Sequence, residues 1–327
     1  MLMAAFVAMS EISIQERKSK GTYNTVAQAK IILRCIDQNG IIVTNANVSS
    51  ALYPDGSFEN AIVMNGTTDT NGCFVMEGKT NGEYSFTLKK DGFYKTHETK
   101  HLFLEPTVSV SSGRWQPYGM TNTVILKRKI NPVAMCAADF FDTRYTLIPE
   151  VEKPLGFDLI VGDWIAPHGR GKIRDFDVTY IWDGSMGADY TGAELILSFA
   201  DPFSGARKIP CDTYSSFKSP YHADTNAVYA QEIRFSFKHN AQGRWEDGQL
   251  KEDECLILRT RSRIDEDGHL IGVHYGKIYG PLRFGFSRKA PGEMKIFHYF
   301  NPTENDANLE YDPNKTLLFS GKIGTPP

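Results

Sequence analysis

Asp163, Trp164, His168 and Arg170 lie close together in the glycine-rich stretch 156–172, GFDLIVGDWIAPHGRGK, with Trp182 a little further on. An indole ring suits the apolar face of a sugar, while carboxylate and guanidinium groups suit its hydroxyls. These five residues are the candidate ligand-binding set. The same stretch also reads as a plug, with Trp164 closing the end of a sandwich and Asp163 capping a turn.

A second group is acidic. Asp175 and Asp177, with Asp183 and Asp189 beyond, surround Tyr180 and Trp182. Two carboxylates at i and i+2 of a strand share a face at roughly 7 Å, a separation open to glycosidase acid–base chemistry. A solvated strand face carries the same pattern. The segment 301–312, NPTENDANLEYD, is rich in oxygen donors; Asn305, Asp306, Asn308 and Glu310 are candidate ligands for a structural Ca²⁺. It lacks the EF-hand spacing and its glycine, and an ordinary Asx-turn loop is the alternative. His222, Asp224, His274 and His298 make a metal or acid–base set only if the fold gathers them, and His298, between Phe297 and Tyr299, reads as a sheet histidine. Nothing marks Ser215 or Ser216 as a nucleophile. Neither GxSxG, HExxH, a P-loop nor a βαβ-borne GxGxxG occurs, so no catalytic residue is assigned.

The 327 residues suffice for two domains, and 41% apolar with 23% charged content is ordinary for globular protein. A net charge of -3 with scattered Lys and Arg and no basic stripe gives no electrostatic case for nucleic acid, and no nucleic-acid partner is expected. Leu2–Met9 is apolar but far too short to span a membrane. It reads as the core of an export signal ahead of Ala8-Met9-Ser10, or, since no Lys or Arg precedes it, as a frayed terminus. No transmembrane span is expected, and a secreted, periplasmic or cell-surface location is. The five cysteines, Cys35, Cys73, Cys136, Cys211 and Cys255, contain no CxxC and no zinc spacing. Cys35 should point inward and Cys73 outward, which argues against joining them; a Cys211–Cys255 bridge stays open.

The elements that must position these groups read as strands. Ile31, Leu33 and Cys35 alternate with Ile32, Arg34 and Ile36; Tyr84, Phe86 and Leu88 alternate with polar neighbours; Val124 and Leu126 share a face in a last strand at 121–127. Gly40, Gly72, Gly82 and Gly92 sit in Asn-Gly or Asp-Gly turns. The pattern Gly40-x-x-Val43-x-x-Ala46-x-Val48, then Thr68-Asp69-x-Asn71-Gly72-x-Phe74, then Gly82-x-Tyr84-x-Phe86-x-Leu88, then Gly92-Phe93-Tyr94, resembles the carboxypeptidase regulatory-like domain. That resemblance covers about a third of the chain and implies an Ig-like, transthyretin-like sandwich acting as a scaffold in a secreted bacterial protein. Ile42 replaces the proline usual after the first glycine, and 53–64 is longer than a tight hairpin needs. Some related surface domains join a first-strand lysine to a last-strand Asn or Asp. Here Cys35 holds the lysine position, and Lys30 and Asn122 are out of place.

The segment 107–119, with Arg114 and Trp115, reads as a loop, and 129–153 as a connector that packs on a domain. From Pro154 onward, further alternation appears at Leu195–Phe199, Ile233–Phe237, Leu256–Thr260, Leu270–Ile278, Lys295–Phe300 and Thr316–Phe319. The expected architecture is all-β. A possible signal and polar arm occupies 1–28, an Ig-like sandwich 29–128, the connector 129–153, a larger jelly-roll-like sandwich 154–321, and a tail 322–327. The expected function is non-enzymatic binding of glycan or surface protein. The alternatives are a carbohydrate or peptide hydrolase using Asp163, Asp175 or Asp177, and a structural surface-assembly subunit pairing through strand edges.

Overall fold

Period-2 alternation decides the first strand, β1 (Ala27–Asp37). Ala29, Ile31, Leu33 and Cys35 are wholly buried, while the residues between them keep contact with solvent. The computed structural model describes residues 25–138, 145–183, 192–239, 245–287 and 289–317. Leu2–Met9, most of the polar arm, Asp189, Phe319 and the tail 322–327 lie outside them. The chain is all-β, and among the described residues helix is confined to 3₁₀ turns at Leu102–Leu104 and Pro313–Lys315.

Two compact units divide it. The first runs to Lys129 and takes in Tyr214–Phe217. After β1 come β2 (Asn47–Tyr53), β3 (Ile62–Thr67), β4 (Cys73–Thr80), β5 (Glu83–Lys89), β6 (Thr96–His101), β7 (Ser109–Ser111), β8 (Arg114–Gln116) and β9 (Met120–Leu126). One sheet has β1 between antiparallel β4 and parallel β9, with the β7–β8 hairpin extending it; the other runs β3-β2-β5-β6. Ile31, Leu33, Met76 and Val124 from the first sheet meet Val48, Leu52, Tyr84 and Phe86 from the second. Such side chains contribute about 1.5–3 kcal/mol each on burial. Ser215 pairs with Thr96 of β6, and Phe217 stacks on Tyr94 at 4.9 Å.

The expected loop at 107–119 is instead the β7–β8 hairpin. Its Trp115 is buried and donates its indole N–H to Thr80 O at 3.1 Å. Gly82 (φ +103) lies against that ring, and a Cβ there would sit 2.9 Å from Trp115.

The second unit begins at Ile130, so the expected connector contributes strands: β10 (Cys136–Ala138) and β11 (Thr146–Ile148). Then follow β12 (Leu155–Asp158), β13 (Asp163–Trp164), β14 (Phe176–Asp183), β15 (Gly192–Ser198), β16 (Gly205–Pro210), β17 (Glu232–His239), β18 (Trp245–Asp247), β19 (Glu254–Ile264), β20 (Leu270–Gly285) and β21 (Gly292–Phe300). One sheet is β10-β21-β20-β19-β16 with β11 also on β21; the other is β13-β12-β14-β15-β17-β18. Between them pack Leu256, Leu258, Ile278 and Phe300 against Phe176, Val178, Leu195 and Phe235. The opposite face of the β19–β20 sheet is buried too: Cys255, Ile257, Tyr275 and Tyr279 lie under Ala223, Tyr229 and Leu309. A sheet covered on both faces explains why Cys255–Leu258 is apolar without alternation. The segment from Thr316 forms no strand among the described residues.

Candidate functional site

Asp158, at the end of β12, anchors the glycine-rich stretch from both sides. Its Oδ1 accepts from the backbone N–H of Ile160 (2.9 Å) and Val161 (3.3 Å); its Oδ2 accepts from Lys172 (2.8 Å) and Ile173 (3.0 Å). Asp175, immediately before β14, accepts from Leu159 N at 2.7 Å. Across the core, Arg261 of β19 donates from Nε to Asp175 Oδ1 and from Nη2 to Asp175 Oδ2, both at 2.7 Å. The same Nη2 donates to Asp158 Oδ1 at 3.3 Å. Thr260 Oγ1 lies 2.9 Å from Asp175 Oδ1, and the guanidinium sits over the Phe300 ring.

A regular strand would send Thr260 and Arg261 to opposite faces. The ladder opposite β20 slips between Thr260 and Arg263, and Arg261 takes φ +53. This bulge turns both side chains toward Asp175. The αL backbone costs a non-glycine residue about 1–2 kcal/mol, and the bidentate pair holds it there.

Burial alone would raise the Asp158 pKa, but the four loop N–H groups outweigh it and hold the carboxyl below its ordinary range. His298 of β21 lies beside the loop with one ring nitrogen 3.0 Å from Leu159 O and Nδ1 buried without a partner. Burial pushes its pKa down to about 4.

The five candidate ligand residues do not form one platform. Trp164 is 3% exposed, edge-on to Phe157, with its indole N–H on Leu147 O at 2.7 Å. It has no face to offer a sugar, because the loop closes over the core rather than standing out from it. Asp163 Oδ2 accepts from Arg170 N at 3.1 Å and faces Arg170 Nε at 3.3 Å; His168 Nε2 lies 3.0 Å from Glu150. Trp182 stacks on Phe286 at 6.0 Å. Trp164 is opposite Phe157, which is opposite Phe176. Trp182 is therefore about 20 Å further along β14 by strand rise.

The paired-acid reading meets a similar outcome. Asp175 precedes the strand, and both its oxygens are engaged by donors. Asp177 is beside Arg174 at 3.3 Å, and burial raises its pKa. In the expected calcium loop the oxygens accept protein donors: Asn305 Oδ1 from Val273 N, Asp306 from Asn308 N and Asn301 Nδ2, Asn308 Oδ1 from Glu310 N, and Glu310 from Ile130 N and Asn131 N. These are Asx-turn and loop-clamping bonds, in which each oxygen is oriented by a protein donor. His222 bridges to Asn308, Asp224 pairs with Arg207, and His274 stacks on Phe300. Ser215 Oγ accepts from Phe217 N. In the first unit, Lys30 faces Glu77 at 3.5 Å. Asn122 accepts from Lys100, whose Nζ is 3.3 Å from the buried Glu98, so this contact joins β6 to β9.

Sequence reading missed Arg261, Thr260 and Asp158. The available signal was three arginines, Arg259, Arg261 and Arg263, alternating through the strand that the apolar run Cys255–Leu258 opens. Chemically the arrangement is a buried ion cluster that fixes a loop. A separate open groove of about 450 Å³ is lined by Arg207, Val228, Ile233 and Arg234 among others.

No family model matches the chain, and no curated relative matches it. Among solved structures it is similar to 3-chlorocatechol 1,2-dioxygenase from Rhodococcus opacus 1CP, at 10% identity over 32% of this chain, with a TM-score of 0.27. It spans only 60% of that enzyme. It is also similar to the shaft pilin SpaA of Lactobacillus rhamnosus GG (11% identity, 55% of this chain, 90% of that one, TM-score 0.22). A third is BcpA, the major pilin subunit of Bacillus cereus (11% identity, 89% of this chain, 98% of that one, TM-score 0.23). Likeness at this level carries no argument about what this chain does.

Proposed function

We propose that the protein is a non-enzymatic structural module of an exported or cell-surface assembly, pairing with a second copy through an exposed sheet edge. The carrying observation is β3. It closes one edge of its sheet, has neither a charged residue nor a proline, and exposes Ile62 (37%) and Val63 (61%). Edge strands normally carry such guards against pairing, and this one lacks them. The chemistry-bearing side chains of the second unit are engaged in holding loops, which fits a framework role. The resemblance of 30–128 to the carboxypeptidase regulatory-like domain fits the same role. Among the described residues no helix is long and apolar enough to cross a membrane.

Light scattering on the full chain tests this. The mass should rise with concentration, and Val63→Lys should suppress the rise while leaving the circular dichroism spectrum unchanged. A monomer at all concentrations removes the reading.

A second reading, binding of a glycan or surface protein, is favoured by the open groove beside Val228, which is 88% exposed. Retention on a polysaccharide panel, lost in Val228→Asp, distinguishes it from edge pairing.

A further inference from the structure

β16 and β19 run antiparallel with Ile209 opposite Cys255 and Pro210 opposite Glu254. The pairing continues one residue past the end of β16, where Cys211 N donates to Asp253 O at 2.7 Å. Residues two apart on a strand share a face, so Cys211 lies on the same face as Ile209 and Cys255. Both belong to the outer core of the second unit, Cys255 wholly buried and Cys211 partly exposed. No disulfide joins any of the five cysteines, yet these two thiols are in hydrogen-bond contact. Diagonal ladder neighbours are usually about 7–8 Å apart, their Cβ atoms somewhat less, and it is the thiol–thiol contact that brings these two sulfurs together.

We infer that Cys211 and Cys255 are a dithiol that closes to a disulfide by exchange with a small disulfide donor, welding the end of β16 to β19. Cys211, the accessible thiol, attacks the donor R–S–S–R and expels R–S⁻. The Cys255 thiolate then attacks the Cys211 sulfur and expels the second R–S⁻. The protons of the two protein thiols pass to the two leaving thiolates, so the donor is reduced by two electrons as the protein loses them.

Burial and the mutual contact hold the Cys211 thiol up, while the charges of Lys218 and Lys277 favour its thiolate. Lys277 is itself buried, with Nζ 2.6 Å from Leu309 O and 3.1 Å from Ser219 Oγ, so its charge is fixed beside the pair. The other cysteines lack this arrangement. Cys73 is opposite Arg34 in the β1–β4 ladder, so it points away from the inward-facing Cys35. Cys136 is in a different core cluster.

The test uses the native full chain treated with oxidised glutathione, then denatured, alkylated and digested. The expected result is a protein about 2 Da lighter, two fewer alkylated thiols and a peptide linking Cys211 to Cys255. Cys255→Ser should trap one glutathione on Cys211, and Cys211→Ser should leave Cys255 unmodified. Recovery of Cys211 and Cys255 both fully alkylated from the treated wild-type chain overturns the inference. So does a glutathione found on Cys255 in Cys211→Ser. The wild-type map needs no variant to fold.

Discussion

Arg261 Nε and Nη2 each lie 2.7 Å from an oxygen of Asp175, a bidentate pair closed beneath the 158–173 loop. Fork-to-fork geometry of this kind fixes orientation as well as charge. Its Asp175 carboxylate is fully buried and the Arg261 side chain only 11% exposed.

Arg261→Met leaves Asp158 and Asp175 buried without their cation. The expected loss is about 3–5 kcal/mol in urea unfolding. Adding Asp175→Asn to that variant should recover part of the loss, because the stranded charge goes with it. Strictly additive costs in the double-mutant cycle are the outcome that sinks this coupling.

Stability should fall in acid in two stages. His298 has an ordinary value of 6.5 and is pushed down to about 4 by burial. Between those values the unfolded chain takes up a proton that the folded chain refuses. This contribution is whole above pH 6.5 and is lost as pH drops through the window, the loss reaching about 3 kcal/mol near pH 4. Asp158 is held below 3.8, so its contribution is present above that value and is lost at lower pH, as the pH falls through its folded value. Thermal melts of His298→Gln should show a reduced first stage, the remainder coming from His274, whose value burial also lowers, and keep the second.

Trp164→Ala empties a core position and should cost about 3–5 kcal/mol. Trp164→Phe keeps the ring packing but strands Leu147 O, a loss of about 1–3 kcal/mol. Neither change should alter retention on polysaccharide if refolded protein is compared at equal native fraction. Selective loss of retention in Trp164→Phe argues for a ligand role instead.

Chelation should leave the melting temperature unchanged, since the oxygens of Asp306, Asn308 and Glu310 are bonded to protein donors. Asp306→Ala should still destabilise, by about 1–2 kcal/mol, through the lost bonds from Asn301 and Asn308. A calcium-dependent rise in melting temperature that disappears in this variant reverses the expectation.

Much of the fold was legible because alternation and burial coincide. Ile31, Leu33 and Cys35, or Tyr84, Phe86 and Leu88, declare their inner face directly. β6, Thr-His-Glu-Thr-Lys-His, has no apolar period; it is a strand because β5 on one side and Ser215 on the other satisfy its backbone. Trp115 sits among turn residues, yet a distant carbonyl and Gly82 make a slot for it. The candidate site was less legible. Glycines at 169 and 171 look like freedom, but each is pressed against the Trp164 carbonyl, and a Cβ on Gly171 would stand 2.8 Å from it. Composition alone does not separate a loop built for close approach from one built for motion.

The bulge at Arg261 bears on how strands of this kind are compared. A chain one residue shorter at this position loses the slip between Thr260 and Arg263 and with it the guanidinium from its carboxylates, while the opposite slip between Arg263 and Ile264 remains. The change is in length, and a profile of residue preferences barely registers it. Sequences that shared every core position of β19 would then fall into two groups, told apart by a single gap. Only the longer group can keep the 158–173 loop strapped down in this way.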